Sequence, residues 1–427
     1  MKNWNLSSAI ICVMGMGYVG LPLAVELSKF FRVVGFDTNR KKISEMQTGK
    51  FFLNKKKDFN FSRMKKIKFT SEIKNIASCN TYIVAVPTPI DLQRNPDLSA
   101  LKKASHTIGS VINSGNLVIF ESTVFPGATE QICVAIIEKK SKLRLNDDFF
   151  VGYSPERISP GDKRKGLKNI VKVVSGSNKK TLKYVDSLYK KIVSEGTYKA
   201  NSIKIAEASK IIENIQRDVN IALMNEAAII FNELDIDIKE VINASKTKWN
   251  FQPYTPGLVG GHCIGVDPYY LSHKAKSIGV HSDLILTSRR INEFMPTYVS
   301  KRIKKALQNK KVNLKKAKIL IMGITFKDNC SDIRNTKIVD LVKNLKKFIS
   351  FVDIYDPWAS KVEVKKLYNI QLIPKIRKNF YDCIILAVSH KEFKEMGIRK
   401  IKSFGKKISV IYDMKHLFNR SEIDEHL

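Results

Sequence analysis

The chain of 427 residues is long enough for two or three domains with a substantial core. Its 44% hydrophobic and 27% charged residues are ordinary for a globular protein, and no apolar run approaches the roughly 20 residues of a membrane span. We interpret residues 9–14 as a buried strand rather than a signal peptide, so we expect a cytoplasmic protein. The formal net charge of +34 comes from lysines spread along the whole chain, without a basic tail or an RNA-binding signature, so we expect no nucleic-acid partner.

The first third of the chain alternates strand-like and helix-like segments. The predicted elements are strands at 9–14 and 32–36, a helix at 19–30, the start of another helix at 40–47, and short apolar runs at 81–86 and 117–120. Such alternation indicates a parallel sheet with helices on both faces. The stretch 50–68, rich in lysine and phenylalanine, is expected to be irregular and at the surface.

Three glycines form a dinucleotide-binding fingerprint between the first strand and the first helix. Gly15 permits the tight turn, Gly17 lets the backbone approach a pyrophosphate, and Gly20 allows close packing of the helix. The helix N-terminus offers N–H groups to the phosphates. Asp37 ends the next strand and can bind a ribose 2′-hydroxyl, which favours NAD over NADP; the alternative is a helix cap before Asn39. The combined context favours cofactor binding.

Two later threonines follow predicted strands. Thr88 lies in the turn Val86–Pro89, and Thr123 lies in the segment Glu121–Gly127. Each could approach a cofactor or simply stabilise a turn. Ligands in open α/β sheets bind at the carboxyl ends of strands, and both threonines fall there.

The segment that follows carries an acid and a base between Pro155 and Pro160. Glu156 could act as a general base. The alternative is a surface ion pair with Arg157 or a nearby lysine, and the spacing does not separate the two.

Residues 202–233 contain neither glycine nor proline, and their apolar positions recur at helical spacing. We predict one long helix that joins two domains and supplies a dimer surface. Lys210, Asn214 and Arg217 share one face of this helix. A solvated charged face is the usual explanation. If the face is partly buried, a lysine and an asparagine aimed inward could stabilise negative charge on oxygen.

The six cysteines form no CxxC pair and no Cys/His cluster with zinc spacing, so we predict no metal site. Most of them lie in apolar runs, but Cys263 lies in the glycine- and proline-rich loop 253–267, with Asp267 four residues later. A cysteine among glycines can bring its sulfur close to a substrate carbon. Together with the dinucleotide fingerprint, it indicates an oxidoreductase with a covalent sulfur intermediate.

The last third repeats the strand–turn–helix pattern. After Asn292 a helix leads through 301–309, the run 318–323 starts a second strand–turn–helix series, and its later strands are predicted at 351–355 and 383–388. From about residue 312 this is a second nucleotide-binding-like domain. Lys327 and Arg334 flank a loop after its first strand, which is either an anion site near a helix start or simply a basic loop.

In this order the blocks resemble the UDP-glucose/GDP-mannose dehydrogenase family over residues 9–390. The resemblance rests on Gly-x-Gly-Tyr-Val-Gly at 15–20, the Thr123 block, Ser-Pro-Glu-Arg-Ile-x-Pro-Gly-Asp at 154–162, the Lys210 helix and the Cys263 loop. The motif at 154–162 and the Cys263 loop are most similar to the branch that acts on UDP-N-acetylhexosamines for surface polysaccharides. Leu258-Val259 stands where many members have a second Pro-Gly, so UDP-glucose and UDP-N-acetylmannosamine stay open beside UDP-GlcNAc and UDP-GalNAc.

The resemblance implies a fold and an activity. The fold is α/β, with two Rossmann-like doubly wound parallel-sheet domains joined by a long central helix and a helical middle domain. The expected domains are NAD-binding at 1–200, dimerising and catalytic at 201–311, and UDP-sugar-binding at 312–427. The activity is a four-electron oxidation of the sugar C6 alcohol to the uronate through a cysteine thioester, with two NAD+ per turnover. A homodimer or higher homo-oligomer is expected.

The resemblance also implies roles for individual residues. The implied catalytic set is Cys263 as nucleophile, Lys210 and Asn214 at the oxyanion or an ordered water, and Glu156, Thr123 and Asp267 in thioester hydrolysis. The implied cofactor contacts are Gly15, Gly17, Tyr18, Val19, Gly20, Asp37, Thr88, Thr123 and, across domains, Arg334. The implied substrate contacts are Arg157, Ile158, Lys210, Asn214, Arg217, Gly260, Lys327 and, lent to the other subunit, Arg289.

Two alternatives from other classes stay open at this point. A two-electron dehydrogenase of the 6-phosphogluconate or hydroxyacyl type also pairs a dinucleotide domain with a helical one, but it does not need Cys263. A basic nucleotide-binding interaction protein would keep only the fold. One NADH per substrate favours the first alternative, and salt-sensitive nucleic-acid binding without NADH formation favours the second.

Overall fold

The computed structural model describes residues 5–49, 66–157 and 166–427. They form two compact units, Met1–Glu213 with Tyr269–Val280, and Asn214–Pro268 with His281–Leu427. Each unit is built on its own sheet. The domain boundaries expected from the sequence stay predictions.

The first unit contains an eight-stranded sheet. Its strands are β1 Ile10–Met14, β2 Arg32–Phe36, β3 Ile67–Thr70, β4 Thr81–Val84, β5 Leu117–Phe120, β6 Phe150–Tyr153, β7 Lys172–Gly176 and β8 Thr197–Lys199. Their order is β3-β2-β1-β4-β5-β6-β7-β8, and every pair is parallel except β6 with β7. The predicted parallel sheet is therefore confirmed, and its strand order reverses between β1 and β4, where such sheets bind their ligands.

Helices connect these strands. They are α1 Gly20–Leu27, α2 Arg40–Gln47, α3 Ser99–Gly109, α4 Ala135–Ser141 and α5 Lys179–Lys190, with a π-helical turn at Thr129–Val134 before α4. Successive β1 residues are buried on both faces of the sheet, Ile11 and Val13 on one and Cys12 and Met14 on the other. This explains why the strand is a continuous apolar run in the sequence.

The predicted N-terminal elements differ from the observed ones only at their ends. Helix α1 ends at Leu27 rather than at Phe30. The residues after it form hydrogen-bonded turns, in which the amides of Phe30 and Phe31 donate to the carbonyl oxygen of Leu27, and this explains why the helical pattern runs on in the sequence. Most of the stretch predicted to be irregular lies outside the described residues. Its last two positions belong to β3, so that part of the prediction is wrong: Ile67 is an apolar core residue of the sheet.

Helical elements follow the first sheet. They are α6 Ile203–Glu233, α7 Ile238–Ser245, α8 Asp267–Ser277 and α9 Asp283–Asn309. The single long helix predicted at 202–233 is confirmed as α6. Helix α9 begins nine residues before Asn292, because buried polar residues such as Arg289 and Asn292 interrupt the apolar periodicity that would have marked its start.

The second unit contains a five-stranded, all-parallel sheet. Its strands are β9 Lys318–Met322, β10 Phe351–Tyr355, β11 Tyr381–Leu386, β12 Gly405–Asp413 and β13 Glu425–His426, in the order β10-β9-β11-β12-β13. Its helices are α10 Ile338–Leu345, α11 Lys361–Tyr368, α12 Lys391–Met396 and α13 Ile398–Lys402. Ile319 and Ile321 pack in one core, and Leu320 and Met322 pack in another, so both faces are covered. The predicted fold class is confirmed.

Within the described ranges, none of the helices combines the length and the apolar character that crossing a membrane requires.

Candidate active site

The glycine turn after β1 has the shape that the fingerprint predicts. Gly15 adopts φ +94°, and a side chain there would lie 2.7 Å from the carbonyl oxygen of Ala85. A side chain at Gly20 would overlap the carbonyl oxygen of Gly15, so helix α1 can start this close only at a glycine. Apart from its chain neighbours, no described residue lies within 4 Å of the corresponding position at Gly17. This open space before a helix N-terminus fits the pyrophosphate of a dinucleotide.

Asp37 holds this turn from the end of β2. Its Oδ2 accepts a hydrogen bond from the amide of Met16 at 3.0 Å and lies 2.8 Å from the Lys42 ammonium. Burial raises the pKa of Asp37, but the hydrogen bonds from Lys42 and the main chain outweigh it and bring the pKa below its usual value. Helix α2 is capped by Asn39, whose side chain accepts a hydrogen bond from the amide of Lys42. Helix capping therefore does not explain the presence of a carboxylate at Asp37. An ionised carboxylate therefore stands beside the glycine turn.

Thr88 and Thr123 meet at the carboxyl ends of the neighbouring strands β4 and β5. The Thr88 hydroxyl donates to the carbonyl oxygen of Thr123 at 2.8 Å, and the Ser122 hydroxyl donates to that of Val86 at 2.7 Å. The Tyr270 hydroxyl donates to the carbonyl oxygen of Thr88 at 2.8 Å. Both threonines therefore lie at the carboxyl ends of strands, and the cofactor contacts expected of them stay predictions. No pattern in the sequence assigned Tyr270 this supporting role.

A buried ion pair supports the main chain next to Glu156. The Lys172 ammonium lies 3.2 Å from Glu121 Oε2 and donates to the carbonyl oxygen of Pro155 at 3.2 Å. The Tyr189 hydroxyl also donates to Glu121. Burial raises the pKa of Glu121, and the charge of Lys172 partly offsets this. Lys172 was not predicted from the sequence, because one lysine among so many carries no local signal.

Arg157 lies beside this segment. Its guanidinium forms an ion pair with Glu213 at 3.1 Å and donates to the carbonyl oxygen of Val171 at 3.2 Å. The side chain is 32% exposed, so a ligand phosphate or hydroxyl can still reach it. Ile158, the other substrate contact predicted here, lies outside the described residues.

The start of helix α6 carries two buried charged side chains in the first unit. Lys210 is 8% exposed, and its ammonium has no hydrogen bond or ion pair with any residue in the described part of the chain. One turn earlier, Glu207 accepts from the amides of Gly127 at 2.5 Å and Thr129 at 2.9 Å. Burial raises the pKa of Glu207 to about 7. A solvated charged face is therefore excluded, and the buried Lys210 cation is suited to an anionic ligand.

In the second unit, Asn214 and Asp267 form a buried pair next to the cysteine. The Asn214 side-chain amide donates to Asp267 Oδ2 at 2.5 Å, and the two residues are 1% and 3% exposed. The amide of Asp267 donates to the carbonyl oxygen of Cys263 at 2.9 Å. On the other side, Arg217 donates to Asn214 Oδ1 at 3.5 Å. Asn214 and Asp267 thus fix the backbone that carries the sulfur.

The cysteine loop packs against the loop that follows β9. The amide of Gly261 donates to the carbonyl oxygen of Asn335 at 3.2 Å. Gly261 adopts φ +88°, and a side chain there would lie 2.8 Å from the ring of Phe326. A side chain at Gly260 would lie 2.7 Å from the same Asn335 oxygen. These close approaches explain why two glycines precede His262 and Cys263.

Cys263 is exposed, whereas the other five cysteines are buried. Burial raises the pKa of the Cys133 thiol to about 12 and also raises that of Cys330. Of the six thiols, Cys263 is therefore the one that a substrate can reach.

His262 and Arg334 lie near each other in the second unit. Arg334 binds Asp332 through two hydrogen bonds of 2.9 and 2.6 Å. Burial and the positive charge of Arg334 lower the pKa of His262, so this imidazole is neutral at physiological pH.

A cleft in the second unit lies at the carboxyl ends of β9, β11 and β12. Its lining includes Gly260, Lys327, Lys337 and Lys415, together with residues 325–328, 336–338 and 387–389. Three lysines on one cleft suit a diphosphate. Lys327 and Gly260 were expected from the sequence, whereas Lys337, ten residues after Lys327, and the distant Lys415 were not.

Arg289 is fully buried in the same unit. Its guanidinium lies 2.6 Å from Asp218 and 3.3 Å from Glu293. Its guanidinium also lies 3.7 Å from the position that a Cβ atom would occupy at Gly265, so Arg289 supports the end of the cysteine loop. The predicted contact with the sugar nucleotide of a second subunit stays a prediction.

The chain matches three family models in sequence order. They describe the NAD binding domain, the central domain and the UDP binding domain of the UDP-glucose/GDP-mannose dehydrogenase family, over residues 9–193, 204–294 and 320–420. Together they cover most of the chain.

Individual proteins match over almost their whole length. The chain is 51% identical to UDP-N-acetyl-D-glucosamine 6-dehydrogenase of Salmonella typhi, covering 99% of this chain and 100% of that protein. It is 50% identical to the protein of the same name of Pseudomonas aeruginosa, with coverages of 98% and 99%. The solved structure of UDP-D-ManNAc dehydrogenase from Pyrococcus horikoshii superposes with a TM-score of 0.86 at 31% identity and covers 96% of each chain.

Proposed function

This chain belongs to the UDP-glucose/GDP-mannose dehydrogenase family and is an NAD-dependent UDP-sugar 6-dehydrogenase; from this premise we propose that its substrate is UDP-N-acetyl-D-glucosamine. Identities of 51% and 50% to two proteins named for that sugar, against 31% for the UDP-D-ManNAc enzyme of known structure, carry the proposal. UDP-N-acetylgalactosamine is the alternative, since the two sugars differ only in the orientation of one hydroxyl.

The proposed chemistry centres on the Cys263 sulfur. When bound, NAD+ would supply the hydride acceptor for two successive oxidations, first of the C6 alcohol and then of the sulfur adduct. Between them, the Cys263 thiolate forms a bond to the aldehyde carbon and gives a thiohemiacetal. After the second oxidation the carbon is a thioester, and water attacks it. The carbon–sulfur bond then breaks, the thiolate leaves, and the uronate is released. The exposure of Cys263 on a rigidly held loop supports this assignment.

Other side chains stabilise charge and handle water in this proposal. Lys210 and Asn214 stabilise the negative charge that develops on the C6 oxygen. Glu156 deprotonates the hydrolytic water, with Thr123 and Asp267 as partners. The burial of Lys210 and the charge-assisted bond between Asn214 and Asp267 support these roles.

Binding roles follow from the two sheets. The Gly15–Gly20 turn, with Tyr18, Val19 and Asp37, holds NAD, and Thr88 and Thr123 contact it from the neighbouring strands. Arg157, Arg217, Gly260 and Lys327 bind the UDP-sugar. The three-lysine cleft supports the placement of the diphosphate in the second unit. The proposed set has three further contacts. Arg334 contacts the cofactor, Ile158 contacts the substrate, and Arg289 contacts the substrate of a second subunit.

We also propose a homodimer that forms through helix α6. Ile205, Ile212, Leu223 and Ile230 recur at spacings of a helical stripe, and each is about half exposed. Large apolar side chains in a row on a helix favour burial against a second copy. Sedimentation analysis of the purified chain and of an Ile212→Glu/Leu223→Glu variant tests this, and an unchanged mass would contradict it.

A substrate panel tests the sugar. The purified enzyme is given NAD+ and one UDP-sugar at a time, with UDP-GlcNAc, UDP-GalNAc, UDP-N-acetylmannosamine and UDP-glucose compared by NADH formed and by the mass of the product. We expect two NADH per sugar and a uronate, with UDP-GlcNAc giving the highest kcat/KM. Highest activity on UDP-glucose would overturn the substrate assignment, and one NADH per sugar would favour a two-electron enzyme.

A cysteine variant tests the covalent route. Cys263→Ala should form no uronate, because the aldehyde cannot be converted to a thioester. Cys79→Ala, which removes a buried thiol in the first unit, is the matched control and should keep both oxidations. Mass spectrometry after brief alkylation should find label on Cys263 alone, and UDP-GlcNAc should protect it. Complete turnover by Cys263→Ala would refute the route.

A further inference from the structure

Three potential metal ligands converge in the second unit, and one of them, His416, directly follows Lys415 of the three-lysine cleft. Asp237, His416 and His426 each offer one ligand atom, and these atoms all lie within 4.8 Å of one another. Asp237 precedes α7, His416 follows β12, and His426 lies in β13, which pairs with the end of β12. The proposed reaction assigns none of them a role.

Each of the two imidazoles has an unused nitrogen atom. Among the residues that the structure describes, none is a hydrogen-bond partner of the buried Nε2 atoms of His416 and His426. In His426, Nδ1 lies 3.3 Å from the main-chain oxygen of Leu427, which can only accept a hydrogen bond. Nδ1 therefore carries the proton, and in the neutral ring Nε2 has a lone pair. A ring N–H held by a main-chain oxygen is the usual outer support of a metal-binding histidine.

Asp237 uses its two carboxylate oxygens differently. Oδ1 accepts from the amide of Lys239 at 2.8 Å and caps α7. Oδ2 faces His426 Nε2 at 3.5 Å. A carboxylate oxygen opposite a nitrogen lone pair is unfavourable unless a cation stands between them.

Neighbouring groups fix the geometry of this cluster. The carboxylate of Asp413 accepts from the amides of Lys415 and Phe418, and so holds the turn that carries His416. The two rings lie 5.0 Å apart between centroids.

We propose that Asp237 Oδ2, His416 Nε2 and His426 Nε2 bind a divalent transition-metal ion of the zinc class. A point equidistant from three atoms 4.8 Å apart lies about 2.8 Å from each, whereas zinc takes nitrogen and oxygen ligands at about 2.0–2.2 Å. Each side chain therefore needs to move by less than about 1 Å. Water completes the tetrahedron, and the ion joins the start of α7 to the end of the second sheet. Sequence spacing did not predict this site, because its ligands lie at positions 237, 416 and 426.

Metal titration of the tag-free chain tests the site. The protein carries Cys263→Ser, so that the exposed thiol does not compete, and is stripped with a chelator before Zn2+ or Co2+ is added. We expect one tightly held metal ion per chain after desalting, and a rise in Tm with Zn2+. Cobalt should give the visible absorption of a tetrahedral complex. Absence of stoichiometric binding would overturn the proposal.

Three variants and a control locate the ion. Asp237→Asn keeps a helix-capping oxygen but loses the negative charge. It should weaken metal binding at least about tenfold, because changing even a residue that only supports a metal ligand usually weakens binding by that factor. His416→Gln and His426→Gln should each abolish stoichiometric binding and the Tm response. His281→Gln, an exposed histidine of the same unit, should bind as the parent does. If a glutamine variant does not fold, Asp237→Asn decides, and binding equal to the parent would refute the assignment.

Discussion

Lys210→Met separates a catalytic from a structural role for the buried lysine of helix α6. Methionine keeps the length and bulk of the side chain but removes its charge. Lys210 is only 8% exposed, and its ammonium has no ion pair within the described residues, so Lys210→Met breaks no stabilising ion pair. Loss of one contact to a developing oxyanion lowers kcat by about 10²–10³-fold, or about 2.7–4 kcal/mol. Removing a buried cation without a partner should leave Tm unchanged or raise it.

The assay is the initial rate of NADH formation at saturating NAD+ and UDP-GlcNAc, with Tm measured on the same samples. Lys204→Met, an exposed lysine on the same helix, is the matched control and should keep kcat within about twofold.

Two results would refute this reasoning. If Lys210→Met kept kcat within about tenfold of the parent, the ammonium would not stabilise the oxyanion. If its Tm fell while that of Lys204→Met did not, Lys210 would act by supporting the fold.

Three further predictions test the glycine loop, a buried carboxyl and the cofactor site. Gly261→Ala should lower kcat and should lower Tm more than Gly279→Ala, because both adopt positive φ but only the former meets a ring, at 2.8 Å; equal effects would contradict the packing argument. The folded-state pKa of Glu207, about 7, exceeds its unfolded value of 4.5, so its contribution to stability is complete below pH 4.5 and is lost as pH rises through 7, by about 3 kcal/mol. The free energy of unfolding, measured with urea, should therefore fall less between pH 5 and pH 8 for Glu207→Gln than for the parent. An equal fall in both proteins would show that the carboxyl does not titrate in this range. Asp37→Ala should raise KM for NAD about tenfold through a lost ribose hydrogen bond, with UDP-GlcNAc KM unchanged as its internal control; an unchanged NAD KM would remove Asp37 from the site.

The sequence alone determined the features that depend on neighbours along the chain. Strands β2, β5 and β10 have the predicted limits, because a buried parallel strand leaves its pattern in consecutive residues. Helix α2 begins at the predicted residue, where Asn39 caps it. The glycine turn of 15–20 and the loop that carries Cys263 were also found, since close backbone approach requires glycine at fixed spacing.

Only the tertiary structure decided which distant polar groups meet. Lys172 and Glu121 are 51 residues apart, Gly127 and Glu207 are 80 apart, and the Asp237–His416–His426 cluster joins the middle of the chain to its last strand. Before folding, each of these side chains is one solvated polar residue among many. Burial away from water is what makes each of them require a partner, and the order of strands in the sheets sets which partner lies within reach.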